Sequence, residues 1–144
     1  MKVLVQRALN ASVTVEGQVV GAIDHGQLVL VGIEKGDSEA DTQRLADKLL
    51  KYRMFSDEDG KMNLNVQQVS GGILLVSQFT LAAETKKGLR PGFSSAALPA
   101  EGERLFNDFV EKVRAQYDKV ATGQFGADMK VAFINDGPVT FILD

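Results

Sequence analysis

The first 33 residues, "MKVLVQRALNASVTVEGQVVGAIDHGQLVLVGI", alternate apolar and polar side chains for most of their length. Such alternation is typical of β-strands that bury one face of a sheet. A turn at Glu16-Gly17-Gln18 predicts a hairpin, and Asp24-His25-Gly26 predicts a second turn before "QLVLVGI". The beginning of the chain therefore predicts antiparallel strands, with His25 exposed in a turn.

Two helical segments follow. Residues 36–55 carry apolar side chains at helical spacing, with Asp37 or Ser38 as the cap. Residues 99–117 form a second apolar stripe, and Pro99 suits the first turn of its helix. Between them lies "SDEDGKMN", which predicts a loop that turns at Gly60.

The remaining segments predict more strands. "GGILLVSQFTL", residues 71–81, is a continuous apolar run of the kind found in central strands buried on both faces. "MKVAFIN" and "VTFIL" predict two closing strands. The order predicts an α+β fold in which two helices pack on a mostly antiparallel or mixed, barrel-like sheet, in a single domain over residues 1–144. Because two helices cannot cover a sheet of roughly six or seven strands, we also expect a homodimer.

Composition narrows the chemistry. The chain has no cysteine and a single histidine, so thiolate chemistry is absent and a histidine-based zinc site is disfavoured. We expect no metal and no cofactor. The N-terminal segment does not resemble a signal peptide and no apolar run reaches membrane length, so we predict a cytoplasmic protein without a membrane partner. The net charge of −3 argues against a protein that grips a long nucleic acid, but it allows one that binds only an end.

Two short segments stand out from this scaffold. "SQFTL", residues 77–81, places polar side chains at the end of the most apolar strand, where functional sites often gather. Ser77 and Thr80 carry hydroxyls, yet a nucleophilic hydroxyl needs a base and none accompanies them in sequence. "NDGPVT", residues 135–140, reads as an ordinary turn with a trans Gly-Pro bond, and its proline suits a strand start, an edge or a bulge.

Together with "MKVLVQRALNASVTVEGQVVGAI" and "GGILLVSQFTLAAETKKGLRPGFSSA", these segments make the chain resemble, from end to end, the D-aminoacyl-tRNA deacylase family. This is the bacterial and eukaryotic cytosolic type, also called D-tyrosyl-tRNA deacylase. The resemblance implies a homodimer with composite active sites that hydrolyses the ester between a D-amino acid and the 3′-terminal adenosine of tRNA. It implies rejection of L-aminoacyl substrates. If an L side chain is rejected because it does not fit, glycine, which has no side chain, is not rejected, and we predict that glycine misattached to tRNA is also removed.

The resemblance also implies roles for particular residues. Ser77, Gln78, Phe79 and Thr80 would form the catalytic pocket, with backbone N–H groups stabilising the oxyanion and the 2′-hydroxyl of tRNA assisting the attacking water. Gly137 and Pro138, joined by a cis bond, would reach into the pocket of the other subunit and select the chirality of the substrate. Arg7 would hold their carbonyl groups through its planar fork of donors.

Contacts with tRNA are predicted at two places. Phe125, Met129 and Lys130 would line the adenosine end, although Phe125 and Met129 suit the core equally well. The second place is a basic stretch that holds Lys86, Lys87 and Arg90. Its side chains would contact phosphates of the acceptor end, although such a stretch is also typical of a solvated loop.

Two other functions fit the same residues. A small esterase would use Ser77 or Thr80 as a true nucleophile, and it would form a covalent intermediate. A non-catalytic module would bind a small ligand or an RNA end without turnover. The missing base argues against the first, and the presence of two site-like segments argues against the second.

Overall fold

The alternating segment forms two long strands, β1 (Lys2–Val15) and β2 (Gln18–Gly32), which pair antiparallel around a tight turn. The computed structural model describes residues 1–144. The turn predicted at Asp24-His25-Gly26 is wrong, because β2 continues through it and His25 pairs with Leu9, exposed but within the strand. Gly26 serves a close approach instead: a Cβ there would lie 1.9 Å from the carbonyl oxygen of Gly72.

The other elements follow in chain order: α1 (Glu39–Lys51), β3 (Phe55–Ser56), β4 (Met62–Leu64), β5 (Gly72–Ser77), a 3-10 helix (Phe79–Ala82), α2 (Pro99–Arg114), β6 (Val120–Thr122) and β7 (Lys130–Leu143). The main sheet has the order β6-β5-β2-β1-β7. β1 pairs antiparallel with β2 and β7, whereas β5 pairs parallel with β2 and β6. The predicted α+β fold, with two helices on a mixed sheet, is confirmed.

The strand count differs from the prediction. The sheet has five strands, because β3 and β4 form a separate small hairpin around the predicted turn at Gly60. The two predicted closing strands are one strand, β7, and β6 is too short to show alternation in sequence. The strand predicted over residues 71–81 ends at Ser77, where the chain winds into the 3-10 helix.

β5 is buried on both of its faces. The side chains of Ile73 and Leu75 join the larger core under the helices, and Leu74 and Val76 join a smaller cluster on the opposite face. This arrangement explains the continuous apolar run of β5, because alternate residues enter different cores. No helix in the structure has the length and apolar character needed to cross a membrane.

The two helices lie side by side and are linked by a polar cluster. α1 begins after Ser38, whose N–H donates to Asp41 Oδ2 at 2.9 Å. The carboxylate of Asp108 on α2 accepts hydrogen bonds from Lys112 Nζ at 2.7 Å and from the hydroxyl of Thr42 on α1. Although partial burial opposes ionisation, these two donors lower the pKa of Asp108 below its ordinary value.

Candidate active site

A cavity of about 660 Å³ opens at the carboxyl end of β5. Ser77, Gln78 and Phe79 form one wall, and the start of α2, residues 125–129 and Val131 form much of the rest. Most of the lining side chains are hydrophobic, and the volume lies within the range of small-molecule sites. The predicted catalytic segment therefore borders an apolar chamber large enough for a nucleoside with an attached amino acid.

An aromatic pair forms the mouth of this cavity. The rings of Phe79 and Phe93 lie 5.1 Å apart between centroids, and both side chains remain partly exposed, at 57% and 42%. Exposed aromatic faces of this kind suit stacking on a base or another ring. Sequence reasoning missed Phe93, since its only signal is an apolar residue at the end of a polar loop.

The hydroxyl groups of the predicted catalytic segment form no hydrogen bond with a base. Thr80 Oγ1 accepts a hydrogen bond from Gln78 Nε2 at 2.5 Å, and neither the hydroxyl of Ser77 nor that of Thr80 forms a hydrogen bond with an ionisable side chain. Thr80 also lies outside the cavity lining. The backbone N–H of Gln78 is occupied by Val31 O at 2.8 Å, whereas those of Phe79 and Thr80 begin the 3-10 helix, where an N–H has no intrahelical acceptor.

The second signature segment forms a bulge in β7. Gln6 pairs with Thr140 and Ala8 pairs with Asn135, so residues 136–139 all lie opposite Arg7. Asn135 closes this bulge, because its Oδ1 accepts from the N–H of Val139 at 3.1 Å and its Nδ2 donates to Thr140 Oγ1 at 3.0 Å. The proline therefore stands where no ladder hydrogen bond is required.

Arg7 braces this bulge from the neighbouring strand. Its Nε donates to the carbonyl of Asp136 at 3.0 Å, and its Nη1 donates to the carbonyl of Met54 at 3.3 Å, so the acceptors are not the carbonyls of Gly137 and Pro138 that were predicted. The Gly137–Pro138 bond is cis, as the resemblance implies, and Gly137 has a φ of +134°. A Cβ on Gly137 would lie 2.6 Å from Val139 Cγ2 and 3.1 Å from Arg7 Nη2, so only glycine fits.

A buried glutamine lies behind Arg7. Gln27 pairs with Arg7 across β1 and β2, is fully buried, and contacts Met54 Sδ through Nε2 at 3.4 Å. Its Oε1 has no hydrogen-bond partner. The sequence did not predict this residue, because a polar side chain within an alternating strand is normally expected on the exposed face.

The two signature segments do not meet within one chain. β5 and β7 are separated by β2 and β1, and Ser77 aligns with Val31 and Val3 whereas Gly137 lies opposite Arg7. Standard strand spacing and rise place the segments on the order of 15–20 Å apart. Any joint action of the two segments therefore requires a second copy of the chain.

The predicted RNA-binding residues divide into two sets. Phe125 and Met129 line the cavity, but Lys130 lies outside it and pairs with Asp128 at 3.1 Å. The other three cations lie in an exposed loop whose ends, Glu84 and Gly92, form a β-bridge; they are Lys86, Lys87 and Arg90. No group of three or more histidine, aspartate or glutamate side chains is arranged to hold a metal ion.

The comparisons with known proteins agree with this architecture. The model of the family described as D-Tyr-tRNA(Tyr) deacylase matches residues 4–144. The chain belongs to this family. A D-aminoacyl-tRNA deacylase of Marinomonas sp. (strain MWYL1) is 85% identical over 144 residues, covering 100% of both chains. Another from Saccharophagus degradans is 62% identical over 143 residues, covering 99% of both.

Two solved structures share the fold of this deacylase-family chain. One, described as c-Myc DNA Unwinding Element Binding Protein, has a TM-score of 0.95 and 41% identity, and the match covers 100% of this chain and 98% of that one. The other, described as a probable eukaryotic D-amino acid tRNA deacylase, has a TM-score of 0.84 at 16% identity, with 99% and 97% coverage. The family predicted from the two signature segments is thus confirmed, and the roles of individual residues stay predictions.

Proposed function

We propose that this chain acts as a homodimer that hydrolyses the ester of D-aminoacyl-tRNA, and of glycine misattached to tRNA, while sparing L-aminoacyl-tRNA. Its relatives support the broader activity directly: the chain is a hydrolase of the D-aminoacyl-tRNA deacylase type, with tRNA as substrate. The observation that carries the finer proposal is the Arg7-braced bulge, which lies far from the cavity of its own chain.

The cavity at the end of β5 suits the reacting end of the substrate. Its apolar walls would hold the terminal adenosine and the amino acid, with Phe125 and Met129 on one side. The free N–H groups of Phe79 and Thr80 would stabilise the oxyanion that forms when water attacks the ester carbonyl. Since no base contacts Ser77 or Thr80, we assign the nucleophile to water, assisted by the 2′-hydroxyl of the tRNA.

Chirality would be selected by the bulge of the partner subunit. Gly137 and Pro138 are exposed, so their carbonyl groups can accept hydrogen bonds from the α-ammonium group of a substrate. Backbone this close to the α-carbon leaves no room for a side chain on the L side. Glycine has no side chain to exclude, which is why we include it among the substrates.

The edge of the sheet supports the dimer. β7 is a 14-residue edge strand, and its outward side chains include Ile134 and Ile142, exposed at 56% and 65%. Long edge strands with apolar side chains are normally covered in the native assembly. A second copy at this edge would cover these residues and carry the bulge of each subunit towards the other.

The test is a deacylation series with D-alanyl-, glycyl- and L-alanyl-tRNA at equal enzyme, alongside sedimentation analysis. We expect the first two to be hydrolysed, the third to be spared, and the protein to sediment as a dimer. Full activity from a protein that sediments as a monomer would contradict the composite site. Resistance of glycyl-tRNA equal to that of L-alanyl-tRNA would contradict selection by steric exclusion.

A further inference from the structure

The rim of the cavity carries a cation that no motif predicted. Lys35 is the only basic residue among those that line the cavity, and it forms no ion pair. The only acidic residue in the lining, Asp128, is paired with Lys130 at 3.1 Å. Lys35 is exposed, so its ammonium group can contact an anion that arrives from solvent.

The acidic residues nearest to Lys35 in sequence are engaged elsewhere. Glu34 Oε1 and Asp37 Oδ1 contact the amino group of Met1 at 2.9 and 2.7 Å. The second oxygen of Asp37 accepts the N–H of Glu34 at 2.6 Å. Neither carboxylate forms an ion pair with Lys35, so its ammonium group is free to contact an anion beside the apolar chamber.

The backbone fixes Lys35 on the same rim as the basic loop. Its N–H donates to Ser95 O at 3.0 Å, and Glu34 forms a β-bridge with Ala96. The segment that contains Ser95 and Ala96 follows Phe93 at the mouth of the cavity, and Phe93 follows the loop between Glu84 and Gly92. Lys35 therefore lines the cavity itself, whereas the cations of the loop lie outside the lining.

We propose that Lys35 forms a phosphodiester subsite, which binds the phosphate between the terminal nucleotide of tRNA and the nucleotide before it. This inference rests on the proposed function, in which the terminal nucleoside and its amino acid fill the cavity. The first negative charge of the substrate outside that cavity is the 5′-phosphate of the terminal nucleotide. A lysine ammonium group binds phosphate as a point charge and does not require a fixed geometry, so it can bind phosphate at an exposed rim.

The experiment pairs substitutions at Lys35 with removal of the phosphate. The substrates are 3′-O-(D-alanyl)adenosine, the same compound with a 5′-phosphate, and D-alanyl-tRNA. The variants are Lys35→Met, Lys35→Arg and, as a matched control, Lys48→Met, an exposed lysine of α1 outside the cavity lining. Circular dichroism checks that each variant is folded.

We expect Lys35→Met to lower kcat/KM by about three- to tenfold on both phosphate-bearing substrates and to leave the plain nucleoside unchanged. Lys35→Arg should retain most of the activity, Lys48→Met should match the wild type, and the effect of Lys35→Met should shrink at high salt. An equal loss on all three substrates, or no loss on any, would overturn the subsite while leaving the proposed function intact. A wild type inactive on all three would overturn both.

Discussion

Replacement of Gly137 by alanine tests whether the bulge in β7 is built around a glycine. The new Cβ would lie 2.6 Å from Val139 Cγ2 and 3.1 Å from Arg7 Nη2. Val139 is only 7% exposed, and Arg7 is held by two backbone carbonyls, so neither neighbour can move freely. The φ of +134° is also one that L side chains rarely adopt.

These effects set the expected magnitude. Backbone strain of this kind costs about 1–3 kcal/mol, and overpacking of a buried contact costs a similar amount. We expect Gly137→Ala to lower the free energy of unfolding by about 2–6 kcal/mol, out of about 5–15 kcal/mol for a typical domain. The matched control is Gly60→Ala, with a φ of +77° and no atom within 4 Å of the new Cβ, which should cost only about 1–2 kcal/mol.

The measurement is urea unfolding followed by far-UV circular dichroism, because the chain has no tryptophan. In the folded variant, displacement of Arg7 or of the bulge should lower the ratio of kcat/KM for D-alanyl- over L-alanyl-tRNA by about tenfold, equivalent to about 1.4 kcal/mol. If Gly137→Ala were no less stable than Gly60→Ala and kept this ratio, the packing argument for Gly137 would be refuted.

Three further outcomes are expected. Arg7→Lys, which removes the planar fork that reaches two carbonyls, should lower the D-over-L ratio more than it lowers kcat for D-alanyl-tRNA; equal losses would contradict a positioning role. Thr80→Ala should keep kcat within about tenfold of the wild type, since the hydrogen bond of Thr80 Oγ1 is with Gln78, whereas loss of a true nucleophile costs about 10⁶-fold. A trapped acyl-enzyme would favour the esterase instead. Asp108→Asn should cost about 1–2 kcal/mol at pH 7. Because the pKa of Asp108 is lowered, its pairing with Lys112 stabilises the fold fully above the ordinary pKa of an aspartate, and this stabilisation is lost as pH falls through the lowered pKa. Urea unfolding should therefore show the same difference from wild type at pH 7 and 5 and a smaller one at pH 3, and a constant difference would contradict this assignment.

Local sequence signals were sufficient for both helices, for the longer strands and for the two signature segments. Alternation predicted β1 and β2, helical spacing predicted both helices, and a continuous apolar run predicted the buried strand β5. These signals work because each element buries a face that its own periodicity defines. Where a local rule failed, as at Gly26, the cause was a distant neighbour: the glycine meets Gly72 of another strand, and a turn preference has no information about that contact.

The sequence by itself thus determined both helices, the longer strands, the family and the two signature segments. Only the tertiary structure decided how those residues are arranged. The register of β1 against β7 placed Arg7 opposite the bulge at residues 136–139, and the strand order separated Gly137 from Ser77 within one chain. Burial of Gln27 and exposure of Lys35 at the cavity rim were decided in the same way. Each depends on which strands and loops become neighbours, and that pairing is set by the global burial of apolar surface rather than by any local run of residues.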